Sequence, residues 1–401
     1  MNLKKTSLGN ACFLILCTMG ILAILSSTMA KNPVLNPFAI NLGTPPDLMG
    51  IIAAASTIPG ILISLPVASL SDFFGRKKIL FFAAFIFASA PFLYLIVTNW
   101  WQLSLVRFYH GFATAMFVPV AEATIAERFP TKRGERMSAF NSATYVGRGI
   151  APFLGGMILF ATNYSFHTLY LAVGIIGITS LVTVLFLLSE NKIDNTNPVK
   201  TKVTTKEMLR GWREVTHNRG ALIVSFVQAC QYYAYGVIEF YLVQYMIGVA
   251  NLNALAVSIV VGMQVVALIV FRPLLGRFSD RHDRRLPIVL GCLICGALFF
   301  VVPFTTHFAL LLVISVGYGA GFAMVVSSTA PLMCELTPSK LIGTSMGFLS
   351  TMMDIGQALG PIISGVILAS TFAYMGLFSS LTLLLAGSAV VFLLSGIGKK
   401  S

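Results

Sequence analysis

The stretch GFATAMFVPVAEATIAERFP at residues 111–130 returns in altered form as GFAMVVSSTAPLMCELTP at residues 321–338. Two further blocks recur in the same order, with an offset of about 209 residues. One block begins at Gly147 and again at Gly356, and the other ends in Gly75-Arg76 and again in Asp283-Arg284. Three matching blocks in one order predict that the chain is a duplicated unit.

The composition around these blocks predicts an all-α membrane protein. The 401 residues are 57% hydrophobic and 10% charged, whereas a soluble domain has about 25% charged residues. This excludes a soluble enzyme, a disordered regulator and a secreted disulfide scaffold. A bilayer span needs about 20 apolar residues, and we expect twelve transmembrane helices, centred near Leu16, Ile61, Phe87, Phe117, Phe153, Ile178, Tyr235, Val265, Leu293, Met324, Gly360 and Leu385.

The basic residues predict the orientation of these helices. If the N-terminus is cytoplasmic, 24 of the 27 Lys and Arg residues lie in or beside cytoplasmic segments, and the exceptions are Lys31, Arg107 and Arg148. This bias follows the positive-inside rule. We therefore expect cytoplasmic termini in a cell (plasma or inner) membrane, with the net charge of +13 meeting anionic membrane lipids and no nucleic acid.

The duplication predicts two pseudo-symmetric bundles of six helices, at residues 1–189 and 221–401. An even number of helices in each unit gives both copies the same orientation in the membrane. The polar residues 190–220 predict a cytoplasmic linker, whose second part is either a short interfacial helix or a disordered basic loop. Cys292 and Cys295 have a redox or metal spacing, but they lie inside a predicted span, so we interpret them as small apolar residues. No motif indicates a metal, a cofactor or an obligate protein partner.

Three groups of motifs resemble those of the Major Facilitator Superfamily (MFS) of secondary transporters. A gating-loop signature follows the second predicted span and recurs in the second half, with the matching residues Asp72, Gly75, Arg76, Lys77, Gly276, Asp280, Arg281 and Arg284. The fourth span carries Arg107-x-x-His110-Gly111, with His110 where the family usually has Gln. The fifth span and its repeat carry a helix-packing motif associated with antiporters, formed by Gly147, Pro152, Gly155, Gly156, Gly356, Gly360 and Pro361.

Physical chemistry gives these motifs roles of their own. A carboxylate at position 72 or 280 can stabilise the N-terminus of a neighbouring helix and pair with a cation. Such a pair would hold the two halves of the protein together on the cytoplasmic side. The alternative is that the basic loops only anchor the topology. Glycines four residues apart allow close helix packing, and proline bends one of the helices. The resemblance implies the twelve-helix MFS fold and a transporter of the drug or metabolite:proton antiporter type.

Six charged residues fall inside the predicted spans: Glu122, Glu239, Asp354, Lys31, Arg107 and Arg148. Each costs about 2.5–3.5 kcal/mol at the bilayer centre, so each needs a partner or a wet cavity. A low-dielectric environment favours the neutral form of a carboxyl group, which makes Glu122 and Glu239 the leading proton-site candidates, followed by Asp354. The alternative is a permanent ion pair with Arg107 or Arg148. His110 is either a relay member or a packed, hydrogen-bonded residue.

Helical spacing groups further polar residues with these charges. A stripe on the seventh span consists of Gln228, Tyr232, Tyr235 and Glu239, with Gln231 beside it. A stripe on the fifth span consists of Asn141, Tyr145 and Arg148, and its repeat equivalent on the eleventh span consists of Ser350, Asp354 and Gln357. The resemblance implies that helices 1, 4, 7 and 10 line a central path. It would place Lys31, Asn32, Arg107, Glu122, Glu239 and Tyr318 near a substrate cavity.

The sequence leaves several functions open. The first is a secondary transporter that exports a small organic solute in exchange for protons. The second is uptake of a sugar, an organic anion or another metabolite. A transport-dead receptor or scaffold on the same fold is a remote alternative. An intramembrane enzyme is disfavoured because the five histidines are scattered and no metal-binding helix motif is present.

Overall fold

The computed structural model describes residues 2–63, 71, 75–129, 133–189, 213–281, 283–338 and 341–397. These residues form helices and connecting turns, and no β-strand occurs among them. The predicted linker at residues 190–212 and the gating-loop residue Asp72 lie outside the described residues. Asp280 and Arg281 lie at a helix end, but their side chains also lie outside that description.

The described residues of the first half form six main helices. Their bounds are α1 (Asn2–Met29), α2 (Met49–Ala55, helical again at 58–63), α3 (Arg76–Tyr94), α4 (Trp100–Arg128), α5 (Arg133–Ala161) and α6 (Phe166–Ser189). A short helix, Leu35–Asn41, and a 3₁₀ turn, Pro46–Leu48, connect α1 to α2.

The second half begins with α7, which covers Arg219–Gly248 and changes to a π-helix at Ile238–Leu242. The remaining helices are α8 (Ala254–Arg281), α9 (Arg285–Val301), α10 (Phe308–Leu336), α11 (Ile342–Leu368) and α12 (Ala373–Ser395). A 3₁₀ turn, Val302–Phe304, follows α9.

Eleven of the described helices are long and apolar enough to cross a membrane. The twelfth predicted span, centred near Ile61, includes residues 64–70, which lie outside the described part of the chain. Several spans contain internal prolines, such as Pro119 in α4 and Pro361 in α11. Membrane helices tolerate such residues because neighbouring helices satisfy the freed backbone groups.

The chain forms two compact units. Unit 1 comprises residues 1–43 and 55–200, and unit 2 comprises residues 44–54 and 201–401. In unit 1, α1 packs on α5 and α6, and α3 packs on α4 and α6. In unit 2, α7 packs on α11 and α12, and α9 packs on α10 and α12. These helix pairs correspond one to one, so the sequence duplication is also a duplication of packing.

Apolar side chains fill the interior of each unit. Phe87, Phe117 and Phe140 are fully buried in unit 1, and the Phe117 ring lies edge-on to both others at 6.1 and 5.9 Å. Val224 and Phe392 are fully buried in the core of unit 2. This packing fixes the faces on which the polar residues described below lie.

Candidate functional site

The helix 4 motif holds a buried cation in unit 1. Arg107 is 2% exposed, and its Nη2 donates a hydrogen bond to Oγ of Ser56 at 2.6 Å. A Cβ atom on Gly111 would lie 2.3 Å from the carbonyl oxygen of Ser56, so the glycine lets α4 approach the turn within α2. Arg107 and Gly111 therefore contact the same residue, one helical turn apart.

His110 lies in the same cluster and is packed on all sides. Its Nδ1 is 3.3 Å from the hydroxyl of Tyr94, which also interacts with Arg107. Tyr94 stacks on Tyr170 at 4.5 Å, and Phe87 lies edge-on to the imidazole at 5.9 Å. His110 Nε2, by contrast, is buried with no hydrogen-bond partner among the described residues. Nothing in the sequence indicates Ser56, Tyr94 or Tyr170 as partners of the motif, because they lie on other helices.

Glu122 lies further along α4, with an amide as its partner. Its Oε1 accepts a hydrogen bond from Nδ2 of Asn141 on α5 at 2.9 Å. Along the helix axis, Arg107 is roughly 22 Å away, at 1.5 Å per residue. This separation excludes the Glu122–Arg107 ion pair that the sequence left open. Among the described residues, Glu122 has no hydrogen bond or ion pair other than that with Asn141.

The other polar residues of unit 1 lie on α1 and α5. Lys31 and Asn32 occupy the turn that follows α1, where Lys31 is half-buried and Asn32 is buried. On α5, the guanidinium carbon of Arg148 lies 5.8 Å from the ring centre of Tyr145. Asn141 lies on the same helix face, so this predicted stripe includes the partner of Glu122.

Glu239 lies in the π-helical turn of α7. Its Oε2 accepts a hydrogen bond from Nε2 of Gln357 on α11 at 3.2 Å. Tyr241 in the same turn also connects α7 to α11, because its hydroxyl donates a hydrogen bond to the carbonyl oxygen of Pro361 at 3.1 Å. Single π turns occur frequently at functional sites. Glu239 was identifiable from the sequence, but this local geometry was not, since α-helical spacing assumes a regular turn.

Asp354 precedes Gln357 by one turn on the same face of α11. Its side chain is half-buried, and it forms no hydrogen bond or ion pair with any described residue. A carboxylate in this position carries a desolvation cost that no partner offsets. Asp354 and Gln357 thus lie on one face of α11, and Gln357 donates the hydrogen bond to Glu239.

The remaining polar side chains of α7 contact α9 and α10. Oε1 of Gln228 accepts a hydrogen bond from Thr329 at 2.7 Å, and Nε2 of Gln231 lies 3.4 Å from Sγ of Cys292. Cys292 and Cys295 are free and buried. Tyr232 and Tyr235 both contact the ring of Phe322, and Tyr318 lies one turn before Phe322 on α10. Phe322 had no signal of its own in the sequence.

The glycines of the packing motif lie where helices approach most closely. A Cβ atom on Gly147 would be 2.4 Å from the carbonyl oxygen of Ile21, and on Gly155 it would be 3.2 Å from Met29. Gly156 and Pro152 are buried beside them. In unit 2, Cβ atoms on Gly356 and Gly360 would lie 2.1 and 2.3 Å from carbonyl oxygens of α7.

The gating-loop residues differ between the two units. Gly75 is the N-cap residue before α3, with φ 91° and ψ 133°, and Arg76 donates to Oγ of Ser71 at 3.3 Å. Lys77 is half-buried in the first turn of α3. In unit 2, Nε of Arg284 pairs with Oε1 of Glu335 at 2.6 Å. Gly276 has only Ser327 near its Cβ position, at 3.8 Å.

Replacing Gly75 by alanine is expected to destabilise the protein by about 1–2 kcal/mol, because its positive φ is strained for a residue with a Cβ atom. Open space surrounds this position, so backbone strain is the only cause. Thermal unfolding of the purified protein in detergent measures the effect. Gly343→Ala is the control, since Gly343 also faces open space but has no positive φ. Equal losses in both variants would contradict the prediction.

The family follows from the sequence profile described as Major Facilitator Superfamily, which matches residues 10–361 and 224–399. The chain belongs to the Major Facilitator Superfamily. As an MFS protein it is a transporter and not an enzyme, and it is a multi-pass protein of the inner membrane.

Two MFS relatives carry names that refer to different solutes. The probable galactarate/D-glucarate transporter GarP of Escherichia coli (strain K12) is 24% identical over 369 residues, which are 81% of this chain and 81% of that protein. Multidrug resistance protein 2 of Bacillus subtilis (strain 168) is 23% identical over 362 residues, covering 88% of each chain.

A solved structure shares the MFS fold. A bacterial homologue of the human lysosomal transporter Spinster superposes with a TM-score of 0.79 at 14% sequence identity. The match covers 98% of this chain and 97% of that chain. This likeness extends over both units and confirms an all-helical MFS transporter fold.

Proposed function

We propose that this MFS protein exports a small organic solute by alternating access, in exchange for protons. The observation that carries the proposal is the hydrogen bond that the membrane-embedded Glu122 accepts from a neutral amide, that of Asn141. Glu239 also accepts a hydrogen bond from an amide, that of Gln357. The acids lie in different units and occupy positions that the sequence repeat does not relate. Each unit therefore has its own candidate for a proton or for a solute charge.

An amide partner suits a carboxyl group that changes its charge. Nδ2 of Asn141 donates to the carboxylate, and after an amide flip the carbonyl oxygen of Asn141 can accept from the protonated carboxyl group. An arginine could support only the charged form, because the guanidinium has no acceptor and stays protonated. A proton can thus enter and leave Glu122 while the hydrogen bond to α5 persists.

The direction of transport is proposed from the antiporter-type motif on α5 and from the relative named as a multidrug resistance protein. The second candidate is uptake of an organic anion or another metabolite. Support for it comes from the relative named as a sugar-acid transporter and from the half-buried guanidinium of Arg148 on α5. Both candidates use the same membrane-embedded acids.

Proteoliposomes with a pH-sensitive dye inside them test the proposed coupling. Addition of a transported solute to one side of the membrane should change the internal pH, and the sign of the change distinguishes exchange from co-transport. A panel of organic cations, sugar acids and neutral metabolites identifies the solute class by counterflow. Solute flux that is independent of pH and moves no protons would defeat the proton-coupled function.

Asp354→Asn is expected to reduce solute-driven proton movement severalfold without lowering thermal stability. The amide keeps the shape of the side chain, no hydrogen bond or ion pair with a described residue is lost, and the desolvation cost of the charge disappears. Dye quenching and thermal unfolding measure the two effects. Asp47→Asn is the control, because Asp47 is exposed before α2. A less stable Asp354→Asn variant would show that the carboxylate has a structural role instead.

A further inference from the structure

The second helix of the chain, α2, is interrupted in its middle. Its first segment is Met49–Ala55, a turn begins at Ser56, and helical structure resumes at residues 58–63. Pro59 favours a break here, because proline has no N–H to donate to the carbonyl group of Ala55 four residues earlier, and its ring clashes with that group. The sequence therefore weakens this helix between its two segments.

The two segments of α2 belong to different compact units. Residues 44–54 belong to unit 2, whereas residues 55–200 belong to unit 1. Within unit 2, a Cβ atom on Gly50 would overlap the carbonyl oxygen of Pro361, so the first segment of α2 is in backbone contact with α11. The change from one unit to the other therefore falls immediately before the turn.

The turn itself is held by α4 within unit 1. Nη2 of Arg107 donates a hydrogen bond to Oγ of Ser56 at 2.6 Å, and Gly111 leaves room for the backbone of Ser56 one helical turn further on. Hydrogen bonds from a charged donor are stronger than neutral ones, and the burial of Arg107 keeps water from competing for its N–H groups. Arg107 therefore fixes the turn against α4.

The counterpart of this arrangement in unit 2 has no break. A Cβ atom on Gly319 of α10 would overlap the carbonyl oxygen of Gln264 on α8, and the hydroxyl of Ser315 donates to Oε1 of Gln264 at 3.5 Å. Nevertheless α8 is continuous over Ala254–Arg281, although it includes Pro273, and it lies wholly in unit 2. Neither a close glycine contact nor a proline is thus sufficient to interrupt a helix in this fold. The break in α2 coincides with a feature that α8 lacks, the change of unit.

We infer that the turn at Ser56 and Thr57 is a hinge of the transport cycle and that Arg107 is the positioning residue that sets its angle. The inference rests on the proposed transport function, because alternating access requires the two units to change their arrangement. A continuous helix attached to both units would resist that change, whereas a short turn absorbs it through the backbone angles of a few residues. Arg107 keeps the turn on α4 while the first segment of α2 stays on α11.

Spin labels on both sides of the turn test the hinge. Ile51→Cys and Leu62→Cys place labels at exposed positions about three helical turns apart, roughly 16 Å along an uninterrupted helix. Ile259→Cys and Val270→Cys give the same spacing on the continuous helix α8 and serve as the matched pair. With the six native cysteines replaced by alanine, dipolar EPR broadening in lipid nanodiscs should give an about twofold wider distance distribution for the α2 pair. Equally narrow distributions for the two pairs would overturn the hinge.

Ser56→Ala tests the role of Arg107, because it removes the hydroxyl acceptor and leaves the guanidinium in place. The distance distribution of the α2 pair should widen further. The maximal rate of counterflow, measured with a transported member of the solute panel, should fall at least about threefold at an unchanged half-saturation concentration, since the hinge governs the conformational step and not solute binding. Ser89→Ala is the matched control, because it removes a hydroxyl that pairs with Tyr109 of α4 at 2.8 Å from α3 instead of α2. Thermal unfolding verifies that both variants are folded.

The hinge and the proposed function fail in different ways. If the α2 pair is as narrow as the α8 pair while solutes still move protons in proteoliposomes, the hinge is wrong and proton-coupled transport stands. If the α2 pair is wide and Ser56→Ala widens it, but solute flux moves no protons, the hinge stands and the proposed coupling fails. Unchanged distances and rates in a folded Ser56→Ala variant would contradict the role of Arg107.

Discussion

Glu122→Gln is expected to abolish solute-driven proton movement while solute counterflow continues. Glutamine keeps the length and hydrogen-bonding capacity of the side chain, so it can still bond to Asn141, but it cannot take up a proton. Exchange of labelled solute across proteoliposomes needs no net proton transfer and should persist at a comparable rate. Solute-driven dye quenching should fall to the level of empty liposomes.

The control for this prediction is Glu214→Gln. Glu214 is exposed on the short helical segment before α7, outside the candidate spans, so its loss removes a carboxylate without touching the site. It should show wild-type quenching and wild-type counterflow. Wild-type quenching in Glu122→Gln would remove Glu122 from the coupling mechanism, whereas loss of counterflow as well would assign it a role in solute binding.

Gly356→Ala is expected to destabilise unit 2 by about 3 kcal/mol, at the upper end of the range for overpacked cores. The new Cβ atom would lie 2.1 Å from the carbonyl oxygen of Ala229 and 2.9 Å from its carbonyl carbon. These are backbone atoms of α7, so no side-chain rotation relieves the contact and α11 has to move away. The shift would also stretch the Glu239–Gln357 hydrogen bond, so transport should fall together with stability.

Gly387→Ala is the matched control, because Gly387 is exposed on α12 with no atom near its Cβ position. The same substitution there should raise stability by up to about 1 kcal/mol through helix propensity. Thermal unfolding in detergent and size-exclusion profiles measure both variants. If Gly356→Ala were as stable as Gly387→Ala, the close approach of α7 and α11 would be wrong.

The fold was largely predictable from the sequence because the membrane restricts the choices. Long apolar runs must become helices in lipid, and the recurrence of Gly147-to-Gly156 as Gly356-to-Gly365 predicted that two units share one packing pattern. The structure has corresponding glycine contacts, from α5 to α1 and from α11 to α7. The twelfth span and the cytoplasmic position of the termini stay predictions.

The site was predictable only in part. Helical spacing placed Asn141, Asp354 and Gln357 on polar faces, and the charges inside apolar runs identified the three acids. Their partners depend on helices far apart in sequence, so spacing could not pair Glu122 with Asn141 or Glu239 with Gln357. The helix 4 motif likewise gave no sign that Arg107 and Gly111 both contact Ser56.

The sequence by itself determined that this protein lies in a membrane, that it is helical, that it contains a duplicated unit, and which residues carry charge into the membrane. These properties follow from composition, helical periodicity and the recurrence of sequence blocks, none of which requires knowledge of side-chain contacts. Only the tertiary structure decided that Glu122 meets the amide of Asn141, that α7 widens into a π turn at Glu239, and that the buried hydroxyl of Tyr318 lies among aromatic rings with no hydrogen-bond partner in the described part of the chain. Such pairings depend on the rotation and spacing of packed helices, which are set by side-chain contacts along their whole length.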